Sequence, residues 1–229
     1  MISRILVVAL VIISISSGFA QEGKPYVTSG LEIIFSKGGT DSDGNLRFAP
    51  VLNLQSNLNY DLTDKLGFYT GIAIRNVGFI YDLIDSVNTF KKFRSYNVGI
   101  PVGLKIGNLE KAFIYGGYEL EIPIHYKEKL FVNEVKEDKF SVWFSDRTNS
   151  LHHSVFVGFQ FFSGMNVKFK YYLNSFHNQD FEAIDISTGN VYKPYENING
   201  NMWSISLNFS IFRNAKFFYS DNKVEMGEI

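Results

Sequence analysis

WSISLNFSI, residues 203–211 of this 229-residue chain, alternates strictly between apolar and small polar side chains. Such an alternation of period two is typical of a β-strand with one apolar face and one polar face. The pattern recurs along the chain, and it predicts eight strands at about 26–36, 48–60, 66–79, 93–106, 111–124, 151–162, 165–174 and 201–212. Strands of about ten residues, present in an even number, are typical of an outer-membrane β-barrel.

The connections between these strands fall into two classes. Short, turn-forming links are predicted at 61–65, 107–110 and 163–164, and long polar links at about 37–47, 80–92, 125–150 and 175–200. Because the two classes alternate strictly, all tight turns lie at one end and all long loops at the other. The sequence therefore predicts an all-β fold, an eight-stranded antiparallel up-and-down transmembrane β-barrel with external long loops and periplasmic turns.

A soluble eight-stranded barrel of the lipocalin type is the main structural alternative, since it is also exported and up-and-down. Its polar face would point to water and carry many charges. The polar faces here are mostly Ser, Asn and Gly, and glycines such as Gly99, Gly103 and Gly158 suit the crowded interior of a narrow barrel. Apolar faces such as that of residues 96–106 also run uninterrupted. Both features favour the membrane barrel.

Composition excludes several classes of function. Lys and Arg number 22 and Asp and Glu 23, so the charge balance gives no indication of a nucleic-acid partner. Cysteine is absent, which excludes disulfides, thiolate metal sites, a cysteine nucleophile and a lipid anchor on cysteine. Aromatic residues make up 16% of the chain, which suits strands and the aromatic girdles of a membrane barrel.

Residues 1–20 have the pattern of a secretory signal peptide. Arg4 precedes the apolar stretch 5–15, and the small residues at 18 and 20 predict cleavage before Gln21. The alternative, an N-terminal membrane anchor, requires a longer apolar stretch. We therefore predict a signal peptide at 1–20, an outer-membrane barrel at 21–212 and a periplasmic C-terminal tail at 213–229. The expected location is the bacterial outer membrane.

Seven charged residues fall at positions of the predicted strands that face the barrel lumen. They are Glu32, Arg75, Lys105, Glu119, Glu121, Lys168 and Lys170. Unpaired charges are costly inside a narrow barrel, so these residues are expected to pair with one another. One interpretation is a salt-bridge network that fills the bore. The other is a gated ion pathway in which these pairs open.

The run RSYNVGIPVGLK, residues 94–105, resembles the Y-L-x-I-P-L-L-x-K strand of the PorT-like outer-membrane β-barrel domain, which is frequent in Bacteroidetes. The pair Ile122-Pro123 and the leader ending at Ala20-Gln21 are similar to members of that group. The resemblance covers residues 26–212 and implies a barrel of about eight strands, similar to OmpX and OmpA barrels, without implying one activity. Such barrels commonly end on an aromatic residue, whereas about seventeen residues follow Phe212 here.

Three weaker patterns point to chemistry. In His152-His153-Ser154, His152 and Ser154 share a strand face, faintly like the His-x-Ser arrangement of lipid A deacylases, but no orienting carboxylate is evident. Residues 41–45, DSDGN, are similar to the start of a calcium loop and lack its remaining ligands. His125 and His177 have no second ligand at useful spacing. We predict no cofactor, no metal and no catalytic residue.

Two loop segments are candidates for binding. Residues 127–139 alternate in charge, which predicts a solvated loop or hairpin extension or, alternatively, a surface for a partner, the envelope or lipopolysaccharide. Residues 175–200 are rich in Asn and aromatics, which suits sugar or protein. The leading hypothesis is a monomeric, non-enzymatic membrane scaffold in contact with outer-membrane lipid and lipopolysaccharide, whose loops bind a protein or glycan or support envelope integrity. A small porin and, third, a lipid-modifying enzyme are the alternatives.

Overall fold

Eight antiparallel strands close into a ring in the computed structural model of the chain, which describes residues 25–38, 45–83, 88–161, 164–185, 187–196, 198 and 201–215, with the backbone alone for 211–215. The strands are β1 (Tyr26–Lys37), β2 (Arg47–Ala49), β3 (Leu54–Thr63), β4 (Leu66–Val77), β5 (Ile80–Asp82), β6 (Thr89–Asn108), β7 (Ala112–Val132), β8 (Val135–Trp143), β9 (His152–Gln160), β10 (Met165–Ser175), β11 (Ala183–Ile184), β12 (Val191–Tyr192) and β13 (Asn201–Ala215).

The ring runs β1–β3–β4–β6–β7–β9–β10–β13, and β13 pairs with β1 to close it. Each predicted strand corresponds to one member of this ring. The predicted all-β, eight-stranded antiparallel barrel is thereby confirmed. Among the described residues, no helix is long and apolar enough to cross a membrane.

The second predicted strand, 48–60, is interrupted in the structure. Pro50 has no N–H to donate to a ladder, and Leu52 has a positive φ of 61°. The side chain of Asn53 substitutes for the missing ladder bonds, since it donates to the carbonyl of Ala49 and accepts from the N–H of Asn76, each at 2.7 Å. As a result β2 pairs with β1 alone, and a notch separates β2 from β5 in the barrel wall.

At the long-loop end, β6 and β7 continue well beyond the predicted bounds and carry the extra strand β8. Residues 125–150 were predicted as an irregular link that contains a solvated loop or hairpin extension at 127–139; the structure has the hairpin, with β8 as its second strand. The β7–β8 turn consists of Asn133 and Glu134, which have φ of 48° and 66°. Two successive positive φ values are those of a type I′ hairpin turn, which usually carries Asn-Gly. The glutamate at the second position is the reason why the sequence did not locate this turn.

The last ring strand continues past the predicted end of the barrel at residue 212. β13 pairs with β1 as far as Ala215, so the strand takes in the first three residues of the predicted tail, 213–229. The predicted signal peptide, 1–20, and residues 216–229 lie outside the described residues.

Apolar side chains point outward around the ring, whereas polar and charged side chains fill its interior. Ile72, Leu104 and Ile106 are 57–61% exposed, whereas Glu119 is fully buried. A lipocalin-type barrel has the opposite arrangement. On β6 the outward apolar face runs from Ile106 to Tyr96, about 33 Å of strand, which a tilt of about 40° reduces to about 25 Å. That height is typical of the apolar band of an outer-membrane barrel. We call this outward surface the apolar belt.

Candidate functional site

All seven charged residues predicted to face the lumen lie inside the barrel, and none is more than 5% exposed. They come from five strands of the ring: β1 (Glu32), β4 (Arg75), β6 (Lys105), β7 (Glu119 and Glu121) and β10 (Lys168 and Lys170). Small or polar side chains of other ring strands, such as Ser206 and Asn208 on β13, also point into the barrel.

Arg75 lies at the centre of an ion-pair network. Its Nε donates to Oε1 of Glu119 at 3.0 Å, and its Nη1 contacts Oε2 of Glu32. Glu32 also accepts from Nζ of Lys168 at 2.6 Å and from the hydroxyl of Ser206 at 2.7 Å. The guanidinium thus bridges carboxylates from two strands across the bore.

Lys170 extends the network toward the loop end. Its Nζ lies 2.6 Å from Oε2 of Glu119 and 2.7 Å from Oε1 of Glu121. Glu121 accepts two further bonds, from Nδ2 of Asn97 at 2.8 Å and from the hydroxyl of Tyr172 at 2.9 Å. Three carboxylates and three cations therefore balance, with hydrogen bonds around them, which is the arrangement that buried charges require. We call these six residues the central network; they are Glu32, Arg75, Glu119, Glu121, Lys168 and Lys170.

Lys105 is separate from the central network and lies nearer the tight turns. Its Nζ contacts Oδ1 of Asp61 at 2.5 Å, the hydroxyl of Tyr26 at 2.9 Å and Oδ1 of Asn59 at 3.2 Å. The sequence analysis missed Asp61 because it assigned that residue to a turn. In the structure β3 continues to Thr63, so the inward series of Asn57 and Asn59 includes Asp61.

Glycine makes room for the large interior side chains. A Cβ at Gly99 would clash with the carboxylate of Glu119, and one at Gly158 would clash with the ring of Tyr115. Both glycines sit on strands next to β7, which contributes the large side chain in each case. The interior is thus packed tightly at these heights.

At the loop end, a layer of aromatic side chains covers the central network. Phe93 and Tyr195 are almost completely buried, and Tyr195 stacks on His177 with centroids 4.2 Å apart. His177 and Tyr195 belong to the long segment after β10, so this segment folds back into the mouth of the barrel. We call the layer the aromatic plug; its main members are Phe79, Phe93, Tyr126, Phe176, His177 and Tyr195.

Hydrogen bonds fasten the aromatic plug to the walls. Oε2 of Glu128 accepts from the hydroxyls of Tyr126 at 3.0 Å and Tyr195 at 2.9 Å, and its Oε1 pairs with Lys91 at 2.9 Å. Arg147 donates to the hydroxyl of Tyr195 at 2.8 Å. Tyr195, near the end of the long segment after β10, is therefore held by Glu128 on β7 and by Arg147 between β8 and β9.

Below the central network lies a cavity of about 80 Å³, which reaches from the network toward the tight-turn end. Polar and aromatic residues line it, among them Tyr26, Gln55, Asn59, Tyr69, Lys105 and Tyr115. The cavity, which we call the vestibule, ends at the central network, and the aromatic plug closes the bore above that network.

We predict that acid loosens the aromatic plug through His177. Burial, together with the positive charges of His152, Lys91 and Arg147, holds the pKa of His177 well below its ordinary value of 6.5. An open loop would accept a proton near pH 6.5, which the closed loop resists. Closure is therefore fully stable above pH 6.5 and weakens as the pH falls below that value. Amide hydrogen exchange of residues 176–196, corrected for intrinsic pH effects, should rise between pH 7.5 and pH 5.

His177→Phe preserves the aromatic contacts and should remove most of that pH dependence. The matched control is His153→Phe on β9, where the histidine points outward, and this variant should keep the pH dependence of the unaltered chain. A His177→Phe protein with the same acid response as the unaltered chain would contradict the prediction.

The structure does not assemble the His152–Ser154 pair into a catalytic couple. Both residues face inward, as their spacing predicts, but both ring nitrogens of His152 lack a hydrogen-bond partner among the described residues. Ser154 donates its hydroxyl to the backbone carbonyl of Glu119 at 3.1 Å. His152 instead stacks on Phe176 with centroids 5.5 Å apart, beneath the aromatic plug.

The other weak patterns give no site among the described residues. Within that part of the chain no cluster of His, Asp and Glu could hold a metal ion. Residues 41–44 of the calcium-like stretch lie outside it. His125 packs against Trp143 with centroids 4.7 Å apart on the outside of the barrel.

The chain is similar in fold to several solved structures. No protein-family model matches the chain, and no curated protein does. Among solved structures, the attachment invasion locus protein Ail of Yersinia pestis is 14% identical with a TM-score of 0.36, and 83% of this chain covers 98% of Ail. Neisserial surface protein A is 9% identical with a TM-score of 0.34, over 82% of this chain and 97% of that protein. CarO2 of Acinetobacter baumannii is 10% identical with a TM-score of 0.40, over 83% of this chain and 100% of that protein.

Proposed function

We propose that the chain is an outer-membrane β-barrel that serves as a non-enzymatic membrane scaffold, and that its external part binds a partner or supports envelope integrity. The apolar belt supports the location, because an exposed apolar surface of this height suits hydrocarbon and not water. Cleavage of residues 1–20 and membership of the PorT-like group belong to the same proposal. The barrel would act as a monomer.

The observation that carries this proposal is the closure of the lumen at two successive heights. The charges of the central network satisfy one another, and the aromatic plug lies above them. A closed bore leaves the surface beyond the apolar belt as the place where function resides, as is usual for loops on a rigid scaffold. That surface includes the β7–β8 hairpin, which extends beyond the ring strands.

A small porin is the second candidate. The vestibule below Arg75 favours it, because small ions could enter it from the tight-turn end. Conduction would then require the ion pairs of the central network to open.

The proposal is tested by shortening external hairpins in cells that lack the natural protein. Glu128 and Phe140 are directly opposed, so an Asn-Gly turn can replace residues 129–139 without disturbing the aromatic plug. We expect this barrel to reach the outer membrane and yet fail to restore growth in detergent. The matched control replaces residues 185–190 by the same Asn-Gly turn, between the paired residues Ile184 and Val191, and should restore growth. Full restoration by the barrel without residues 129–139 would contradict the proposal.

A further inference from the structure

The outward face of the β6–β7–β8 extension carries six cations. They are Lys92 and Arg94 on β6, Lys127 and Lys129 on β7, and Lys136 and Lys139 on β8. We call this surface the cationic face. On β6, Lys92 and Arg94 have the same parity as Val98 and Ile100 of the apolar belt, so they point outward above it.

Strand pairing forces these cations together. Lys92 lies directly opposite Lys129, Arg94 opposite Lys127, and Lys129 opposite Lys139. Like charges in directly opposed positions destabilise a sheet. None of the six cations forms an ion pair with a carboxylate of the described residues. The described residues therefore do not offset this repulsion, and an anionic ligand bound here would reduce it.

Glu128 and Asp138, which alternate with these lysines along β7 and β8, do not neutralise this face. Glu128 lies between Lys127 and Lys129 in sequence but points to the opposite side of the sheet, where it holds Lys91 and Tyr195. The alternating charges thus separate into a positive outer face and a negative inner contact. Burial and the charges of Arg94, Lys127, Lys136 and Lys139 lower the pKa of Lys129, which indicates an uncompensated positive field.

Aromatic rings fix two of these cations in place. Lys92 lies over the stacked rings of Phe90 and Phe131, with its Nζ 5.2 Å and 4.8 Å from their centroids. Nη1 of Arg94 donates to the hydroxyl of Tyr96 at 3.1 Å. Cations held in this way lose little freedom when an anion binds.

The notch in the barrel wall makes the cationic face concave. A groove of about 320 Å³ lies between β2 and the extension. Lys92, Arg94, Lys127 and Lys129 line one side, and the exposed apolar side chains of Leu46 and Phe48 line the other. No carboxylate of the described residues lines it. An amphipathic anion, with phosphate beside hydrocarbon, fits this combination.

The height of the groove identifies the source of that anion. Tyr96 and Trp143 mark the upper edge of the apolar belt, and Trp143 is 66% exposed, as is typical of an interfacial girdle. Arg94 and Lys127 lie about 7 Å further along their strands. Cations at that level meet lipid headgroups of the outer leaflet.

We propose that the cationic face and its groove bind the phosphorylated headgroup of an outer-leaflet glycolipid, the lipid A part of lipopolysaccharide. This inference rests on the proposed location in the outer membrane. The phosphates pair with Arg94, Lys127 and Lys129, and Lys92 lies at the mouth of the groove. An acyl chain lies against Leu46 and Phe48.

The test measures lipid retention by native mass spectrometry of the refolded mature chain in detergent micelles. Lipid A with two phosphates, lipid A with one phosphate and a sulfated polysaccharide are the probes. The variant Arg94→Gln/Lys127→Gln/Lys129→Gln should retain at least tenfold less two-phosphate lipid A than the unaltered chain. The matched control, Lys65→Gln/Lys111→Gln/Lys193→Gln, loses the same charge from exposed positions elsewhere and should retain it fully.

The unaltered chain should also prefer two phosphates to one, and its retention should fall steeply with added salt, since exposed ion pairs are screened. The salt measurement decides the matter if the triple variant does not fold. Equal retention by the triple variant, or tighter binding of the soluble polysaccharide than of lipid A, would overturn the inference. Absence of the natural chain from outer-membrane fractions would instead contradict the proposed function, whatever the micelle experiment gives.

Discussion

Arg75→Met is expected to destabilise the folded barrel by about 3–5 kcal/mol, because it leaves buried carboxylates without their shared cation. Glu32 keeps Lys168 and Glu119 keeps Lys170, but the interior then holds three negative charges against two positive ones. Neither carboxylate can turn to solvent, since both are almost completely buried. Urea-dependent loss of the heat-modifiable folded form on gels measures the change.

The matched control for Arg75→Met is Lys193→Met, which also removes one cation, in this case one that pairs with a single carboxylate. Lys193 and Asp180 lie on the surface in the long segment after β10, and Asp180 is almost fully exposed. Surface ion pairs contribute little, so this variant should unfold like the unaltered chain. An Arg75→Met barrel as stable as the Lys193→Met barrel would mean that the central network is not a structural element.

The second large effect is expected on conductance, and only when both closures are removed together. Glu119→Ala with Lys170→Ala removes one charge of each sign, so the net charge of the central network is unchanged, and Glu121 keeps its hydrogen bonds from Asn97 and Tyr172. Replacing residues 176–198 by a short Gly-Ser linker removes much of the aromatic plug. Each change alone should leave the barrel silent, because the other closure remains in series. Their combination should give steady single-channel currents.

Val155→Ala, on the outward face of β9, is the control for effects of mutation on insertion and should be silent. Steady current from either single change would contradict the series arrangement. A folded but silent combined variant would mean that a third set of side chains closes the bore.

Strand parity accounts for what the sequence predicted well. Glu32, Arg75, Glu119 and Lys170 sit within long alternating runs, so their inward direction follows from their apolar neighbours alone. Their partners do not follow from parity, because the height of each residue depends on register around the ring. Lys105 was therefore grouped with the others, although in the structure it pairs with Asp61 at a lower level.

The parts that the sequence analysis missed lie where local pattern is weak. Phe176, His177 and Tyr195 belong to a long segment without periodicity, and only tertiary contacts bring them into the mouth. Lys127 and Lys129 do follow period two, but in charge and not in hydropathy. Placing these two lysines on one face of the predicted hairpin extension would have predicted the cationic face.

Single-channel conductance of the refolded mature chain in a planar bilayer tests the closed lumen most directly. A heat-dependent gel shift on the same sample verifies that the barrel has formed. The central network and the aromatic plug predict a folded barrel without steady current near neutral pH. A steady current whose ion selectivity changes with Lys105→Glu would contradict closure and favour the small porin.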